Sequence, residues 1–242
     1  MIRSQKELAE VKQPVESLST SDRAFLRVNE TRDWMQRNTR VLLIVLGVVV
    51  LAVVGLVMYS NGKAADNDRA STLLSHIAPY YEAGDYRKSI DGDPSRKIGN
   101  ESVQGLRFIV NEFGSTPSGG VAALFLGNAY YYLGKLDSAE AAFNKASSDL
   151  PVHQASIEAG RAAILEQKGN KEEAAKLFQS AAKRDEHNPL NGEYVLSAAR
   201  DLEQIGKKDE AVKLYRKLIE DFPSTEYDDA AKRSLMALNE PI

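Results

Sequence analysis

The sequence predicts an all-α protein: a single transmembrane helix, then an α-solenoid of about four helix pairs and a C-terminal capping helix. Three observations carry this. Val41 to Tyr59 is an unbroken apolar run with no charged or strongly polar side chain. After residue 60 the chain turns Ala-rich, with the apolar spacing of amphipathic helices. Gly turns then punctuate these helices at Gly134, Gly169 and Gly206, intervals of 35 and 37 residues.

Composition narrows the function. The 242 residues hold 31 Lys+Arg against 34 Asp+Glu, a net charge of −3, and no Cys. Balanced charge argues against a strongly basic nucleic-acid binder. Without Cys, disulfides, thiol nucleophiles and Cys-ligated metals are excluded.

Residues 1–40 read as a cytoplasmic arm. Pro14 and the run Ser17-Leu18-Ser19-Thr20-Ser21 predict loose structure. Ser21 or Asp22 is placed to cap a juxtamembrane helix with Phe25, Val28, Arg32 and Met35 near one face. A solvated helix is the simpler reading of that face, and a docking contact is the alternative.

Residues 41–59 read as the anchor. A 19-residue helix spans roughly 28 Å, close to the hydrocarbon thickness of a bilayer. Trp34 and Tyr59 fall near the two interfaces, where amphipathic rings are favoured. Gly62-Lys63-Ala64 resembles a cleavage site, but the long polar region before the run and the length of the run favour an uncleaved anchor. Arg23, Arg27, Arg32, Arg37 and Arg40 precede the run, whereas only Lys63 and Arg69 closely follow it. The positive-inside rule then places the N-terminus in the cytoplasm and residues 60–242 across the membrane. In a double-membrane bacterium this is an inner-membrane protein with a periplasmic domain.

The exported domain reads as a repeat. Leu126-Gly127, Tyr130, Ala139, Phe143, Ala146 and Pro151 fit the tetratricopeptide (TPR) spacing, and only the first aromatic slot departs, holding Ala123. Gly169, Ala174, Phe178 and Ala181 form a second copy; Gly206, Ala211, Tyr215, Leu218 and Pro223 form a third. A degenerate first copy begins near Ala70, with Tyr80 and the turn Gly84-Asp85-Tyr86. Its second helix is expected to be delayed by Asp91-Gly92-Asp93-Pro94 and to resume near Glu101. Residues 109–116 and 218–225 are alike, each ending a helix before an Ala-containing one. Small residues at Gly127, Ala139 and Ala146 allow close helix approach, and Phe143 is expected to be buried between repeats. Pro151 and Pro223 are expected to stop helices. A polar-faced cap is expected over about Asp228–Leu238.

No chemistry emerges. His76, His153 and His187 lack ligand spacing, and no phosphate-cradling or nucleophile motif occurs. Asp91-Gly92-Asp93 reads as a turn rather than a calcium loop. Glu172/Lys176 and Asp209/Lys213 read as solvated helix pairs. The reading is a non-enzyme with no cofactor, no metal, no nucleic acid and no small-molecule substrate.

The order of arm, anchor and exported repeats resembles the YfgM-like family, ancillary subunits of the bacterial SecYEG translocon. The resemblance rests on the architecture, on Asp91-Gly92 inside the first repeat and on Glu112-Phe113-Gly114-Ser115-Thr116. It implies contact with translocon subunits, periplasmic chaperones or exported clients. A scaffold or assembly factor of another cell-envelope complex is the alternative.

Mapping the groove positions of TPR proteins gives candidate partner-binding residues. They are Val121, Leu124, Asn128, Tyr131 and Tyr132; then Ser156, Ala159, Ala163, Glu166 and Gln167; then Glu193, Leu196, Arg200, Glu203 and Gln204. Only one of these is cationic, so a site for an acidic peptide terminus is disfavoured. An apolar and aromatic wall centred on Tyr131 and Tyr132 suits a protein interface, although the same residues also suit internal packing.

Overall fold

A computed structural model describes Trp34 and residues 38–241. The predicted juxtamembrane helix and the five arginines that set the orientation, apart from the backbone at Arg40, lie outside the described residues. The chain divides after Asn61 into two units, the second being Gly62–Ile242.

The first helix, α1, runs from Thr39 to Glu82. The apolar run continues into the polar segment without a break: Ser60, Asn61 and Gly62 are helical. The change along α1 is in burial. Large apolar side chains from Ile44 to Tyr59 are exposed, whereas Ala70, Leu73 and Ile77 are buried at helical spacing. The helix contains a stretch long and apolar enough to cross a membrane.

Helix α2 (Tyr86–Asp91) starts the second helix of the first pair at once, with Asp85 accepting from the Lys88 amide at its N-cap. The expected interruption at Asp91-Gly92-Asp93-Pro94 is present, but it falls after the first turns of this helix rather than before it. It takes the form of a two-stranded antiparallel hairpin, β1 (Gly92–Ile98) and β2 (Glu101–Gln104). The helix resumes as α3 (Leu106–Phe113), not at Glu101, which opens β2. Two glycines make this insertion possible. A Cβ on Gly105 would lie 2.3 Å from the Ile90 carbonyl oxygen, and one on Gly92 would lie 2.4 Å from that of Val103. The hairpin base can close only where side chains are absent. Asp93 is buried there and accepts from the Tyr80 hydroxyl at 2.8 Å, Lys88 Nζ at 3.2 Å and the Ser95 amide at 3.0 Å. These donors hold its carboxyl well below the usual range, with Ser95 and Tyr80 the leading causes.

Three uninterrupted pairs follow: α4 (Pro117–Tyr132) with α5 (Leu136–Lys145), α6 (Pro151–Gln167) with α7 (Lys171–Ala181), and α8 (Asn191–Gln204) with α9 (Lys208–Asp221). Helix α10 (Glu226–Ala237) closes the series as the predicted cap. The turns within pairs share one mechanism. Gly134 has φ +70° and its amide bonds the Tyr131 carbonyl, while the Lys135 amide bonds that of Tyr130. This is the Schellman pattern, which needs a left-handed residue. Gly84, Gly169 and Gly206 repeat it. The next residue takes the N-cap position of the following helix, so each pair folds back through the minimum of chain.

Pro151 does not stop a helix. It opens α6, as Pro117 opens α4, because a ring without an N–H costs nothing in a first turn. The two similar stretches are structurally alike: Thr116 and Thr225 both donate to the carbonyl three residues back and cap the next helix. Phe143 is fully buried in a cluster with Leu124, Ala139, Ile157 and Ile164. Its ring occupies space left by Gly127 and Gly160, where an added Cβ would meet it at 2.8 and 2.3 Å. Glu172 pairs with Lys176 at 2.9 Å, as predicted, but also with Lys207 at 3.0 Å. Asp209 and Lys213 form no ion pair among the described residues.

Candidate functional site

The candidate site is the face made by the first helices of the pairs, α4, α6 and α8. The Tyr131 and Tyr132 side chains leave the last turn of α4, where the Gly134 turn ends the helix. Tyr132 is 63% exposed, whereas the other hydrophobic side chains of the candidate set are buried or half-buried. Its ring stacks on Tyr86 at 4.8 Å with an interplanar angle of 11°. Tyr86 meets Tyr81 edge-on at 5.7 Å, and Tyr81 meets Phe125 at 5.0 Å. Tyr131 contacts Tyr132 at 6.1 Å. Five rings thus form one continuous chain that includes the exposed Tyr132. Such contacts fix ring orientation beyond what apolar burial alone would do.

Tyr132 is exposed, and the other four rings are half-buried. Burial pushes the Tyr81 hydroxyl up to about 12; Tyr132 and Tyr86 add to this and Asn128 partly offsets it. Burial also raises Tyr131 and Tyr132, and nearby negative charge raises them further: Glu166 acts on Tyr131 and Glu193 on Tyr132.

The other candidates divide by exposure. Val121, Asn128, Ser156, Ala163, Glu166 and Glu203 are half-buried, and Glu193, Arg200, Gln167 and Gln204 are exposed. Leu124, Ala159 and Leu196 are buried and pack internally. Leu124 lies against Phe143, so it supports the face without presenting a surface. Glu203 accepts from the Tyr215 hydroxyl at 2.5 Å.

Two features were missed from sequence. Tyr81 and Tyr86 belong to the interrupted first repeat, and their link to Tyr132 runs between pairs rather than along the repeat pattern. Their only sequence signal is their placement around the Gly84 turn. Asp201 is the other: it sits fully buried on α8, and neither carboxylate oxygen has a hydrogen-bond partner among the described residues. Burial raises its carboxyl to about 6; Glu166 adds to this and Lys171 opposes it. No group of metal-binding side chains occurs among the described residues.

The turn geometry, the Phe143 socket and the capped helix series all agree with one repeat family. A tetratricopeptide repeat-like domain family matches residues 32–193, and a tetratricopeptide repeat family matches residues 196–225. The chain belongs to the tetratricopeptide repeat-like family. No curated protein matches it. Tetratricopeptide repeats are protein–protein interaction modules and are generally non-catalytic. A tetratricopeptide solenoid presents the first helices of its pairs on its concave side.

Proposed function

We propose that this chain is a membrane-anchored interaction module whose concave face holds a segment of a partner protein, serving as an accessory factor for exported proteins at the translocon. One observation carries the binding site: Tyr132 is held rigid by stacking on Tyr86 yet remains 63% exposed. A pre-ordered aromatic ring loses little entropy on binding and supplies a large contact area. The exposed apolar side chains of Ile44–Tyr59 favour residence in lipid, because in water they would form a large solvated apolar patch. The resemblance to ancillary translocon subunits supplies the site of action, the inner membrane with the repeats in the periplasm.

A photo-crosslinking residue at position 132, activated in native membranes, tests the assignment. Translocon subunits in the adduct are the expected result. Adducts with subunits of another envelope complex, and none with the translocon, would favour a scaffold instead. Protease added to spheroplasts tests topology: it is expected to remove the repeats and spare the N-terminal arm. Protection of the repeats would refute an exported domain.

A further inference from the structure

Asp201 sits on α8 with no exposed surface, and neither of its carboxylate oxygens has a hydrogen-bond partner among the described residues. An ionised carboxylate without water and without donors is strongly disfavoured. Its surroundings do not supply what is missing. Helices α7, α8 and α9 share one apolar cluster that includes Ala174, Phe178, Ala198, Leu202 and Ala211, and such side chains offer no donor. Two polar contacts show which way Asp201 faces. Gln204, on the next turn of α8, accepts from Lys171 of α7. Glu203 is turned towards α9, where it accepts from the Tyr215 hydroxyl. Helical spacing sets Asp201 about 60° from Gln204 and about 160° from Glu203 around α8, so it lies on the α7 side. Of the charged groups on the packed elements, Glu166 of α6 disfavours its ionised form and Lys171 of α7 favours it; among the described residues none on α9 or α10 acts on it. On α8 itself Arg200 is exposed.

We propose that the joint between α7 and α8 is a pH-sensitive latch: Asp201 is protonated while the joint is closed, and loss of that proton to solvent loosens α8 from α7. The connectivity of the packing makes this a local event. Helices α8, α9 and α10 pack on one another, and α7 makes the main contact between them and the preceding pairs. In a solenoid each unit touches only its neighbours, so opening at this joint brings the carboxylate to water and leaves the contacts among the earlier pairs in place. Burial raises the carboxyl to about 6, against near 4 in an open chain. The closed joint therefore holds more protons between those values, and it weakens as the pH rises through them. Leu196 and Arg200 of the candidate face ride on α8, so the proton governs how firmly that part of the face is held.

Hydrogen exchange of the full chain in discs of phosphatidylcholine, read by mass spectrometry, tests the latch on the parent, Asp201→Asn and Asp201→Leu. Both variants remove the charge; the first keeps the shape of the carboxyl and the second matches the apolar cluster. At neutral pH the amides of α8 are expected to exchange at least about tenfold more slowly in a charge-free variant than in the parent. Amides of α4 and α5 are expected to change little, because the opening is local. As the pH is lowered from about 6 towards about 4, the difference is expected to shrink and vanish once intrinsic exchange rates are corrected for. Unchanged exchange of α8 in both variants would overturn the latch. Equal slowing in every helix would overturn it too, since the opening would then be global, and so would a difference that persists undiminished in acid. Failure of both variants to fold would also contradict it, because an amide is a neutral group of nearly the same shape as a protonated carboxyl.

Discussion

Phe143 and Tyr132 lie on consecutive helices and belong to the same repeat, yet their surroundings are opposite. Phe143 is wholly buried, with glycines on two neighbouring helices shaped around its ring. Tyr132 is mostly exposed and rests on other rings. The contrast teaches how to read an aromatic in a helical repeat. An aromatic faced by small residues from adjacent helices serves the fold. An aromatic that rests on other rings and still stays mostly exposed has been ordered without being used up, and remains available to a partner.

The first way to break this contrast is to empty the socket. Phe143→Ala should destabilise the repeats by roughly 3–5 kcal/mol, since the cavity is walled by helices that can collapse only partly. Denaturant unfolding of the full chain measures it, and the loss should extend to neighbouring pairs because a solenoid is stabilised through its interfaces. Filling the socket from the other side should cost less. Gly160→Ala places a methyl 2.3 Å from the Phe143 ring, and overpacking of this kind typically costs about 1–3 kcal/mol. Combining it with Phe143→Leu should restore part of the loss, and strict additivity in the melts would show that the two sites do not touch.

Most of the socket is legible in sequence. Gly127, Ala139, Phe143 and the Gly turns follow helical spacing, because the residues that meet lie on helices adjacent in the chain. The hairpin at Gly92–Gln104 is not legible in the same way. Its base depends on Gly92 and Gly105 coming together across an insertion, and neither position carries a local signal of that contact. Likewise Ser60-Asn61-Gly62 has the composition of a turn but lies within α1, where helical neighbours on both sides override weak local preference. In the candidate site, Tyr131 and Tyr132 follow from the repeat register. Their support by Tyr81 and Tyr86 does not, because it joins the interrupted first pair to the next one, and spacing within a pair does not show which rings of neighbouring pairs meet. Asp201 was hidden because an acidic residue one step from Arg200 reads as a solvated face.

Asp201 gives a third test, smaller and dependent on pH. Its carboxyl titrates at about 6 in the fold and near 4 in an unfolded chain. The native state thus holds more protons between those values, so stability falls as pH rises through the window and stays lower above it. Asp201→Asn should melt a few degrees above the parent at neutral pH, with the advantage vanishing once the medium is acidic enough to protonate the parent. Melting curves across the range measure this. A parallel shift at every pH would mean that burial of the charge is not the cause.

The smallest expected effect on stability falls at the exposed end of the contrast, and the largest on binding. Tyr132→Ala should cost the fold less than about 1 kcal/mol, since its side chain is exposed and surface substitutions seldom cost more. The decisive measurement pairs co-purification with thermal unfolding on one preparation of this variant. A partner lost and a melting transition nearly unchanged are the expected results. A partner retained by a folded variant, or a fold lost together with the partner, would contradict the assignment of this face as the binding site.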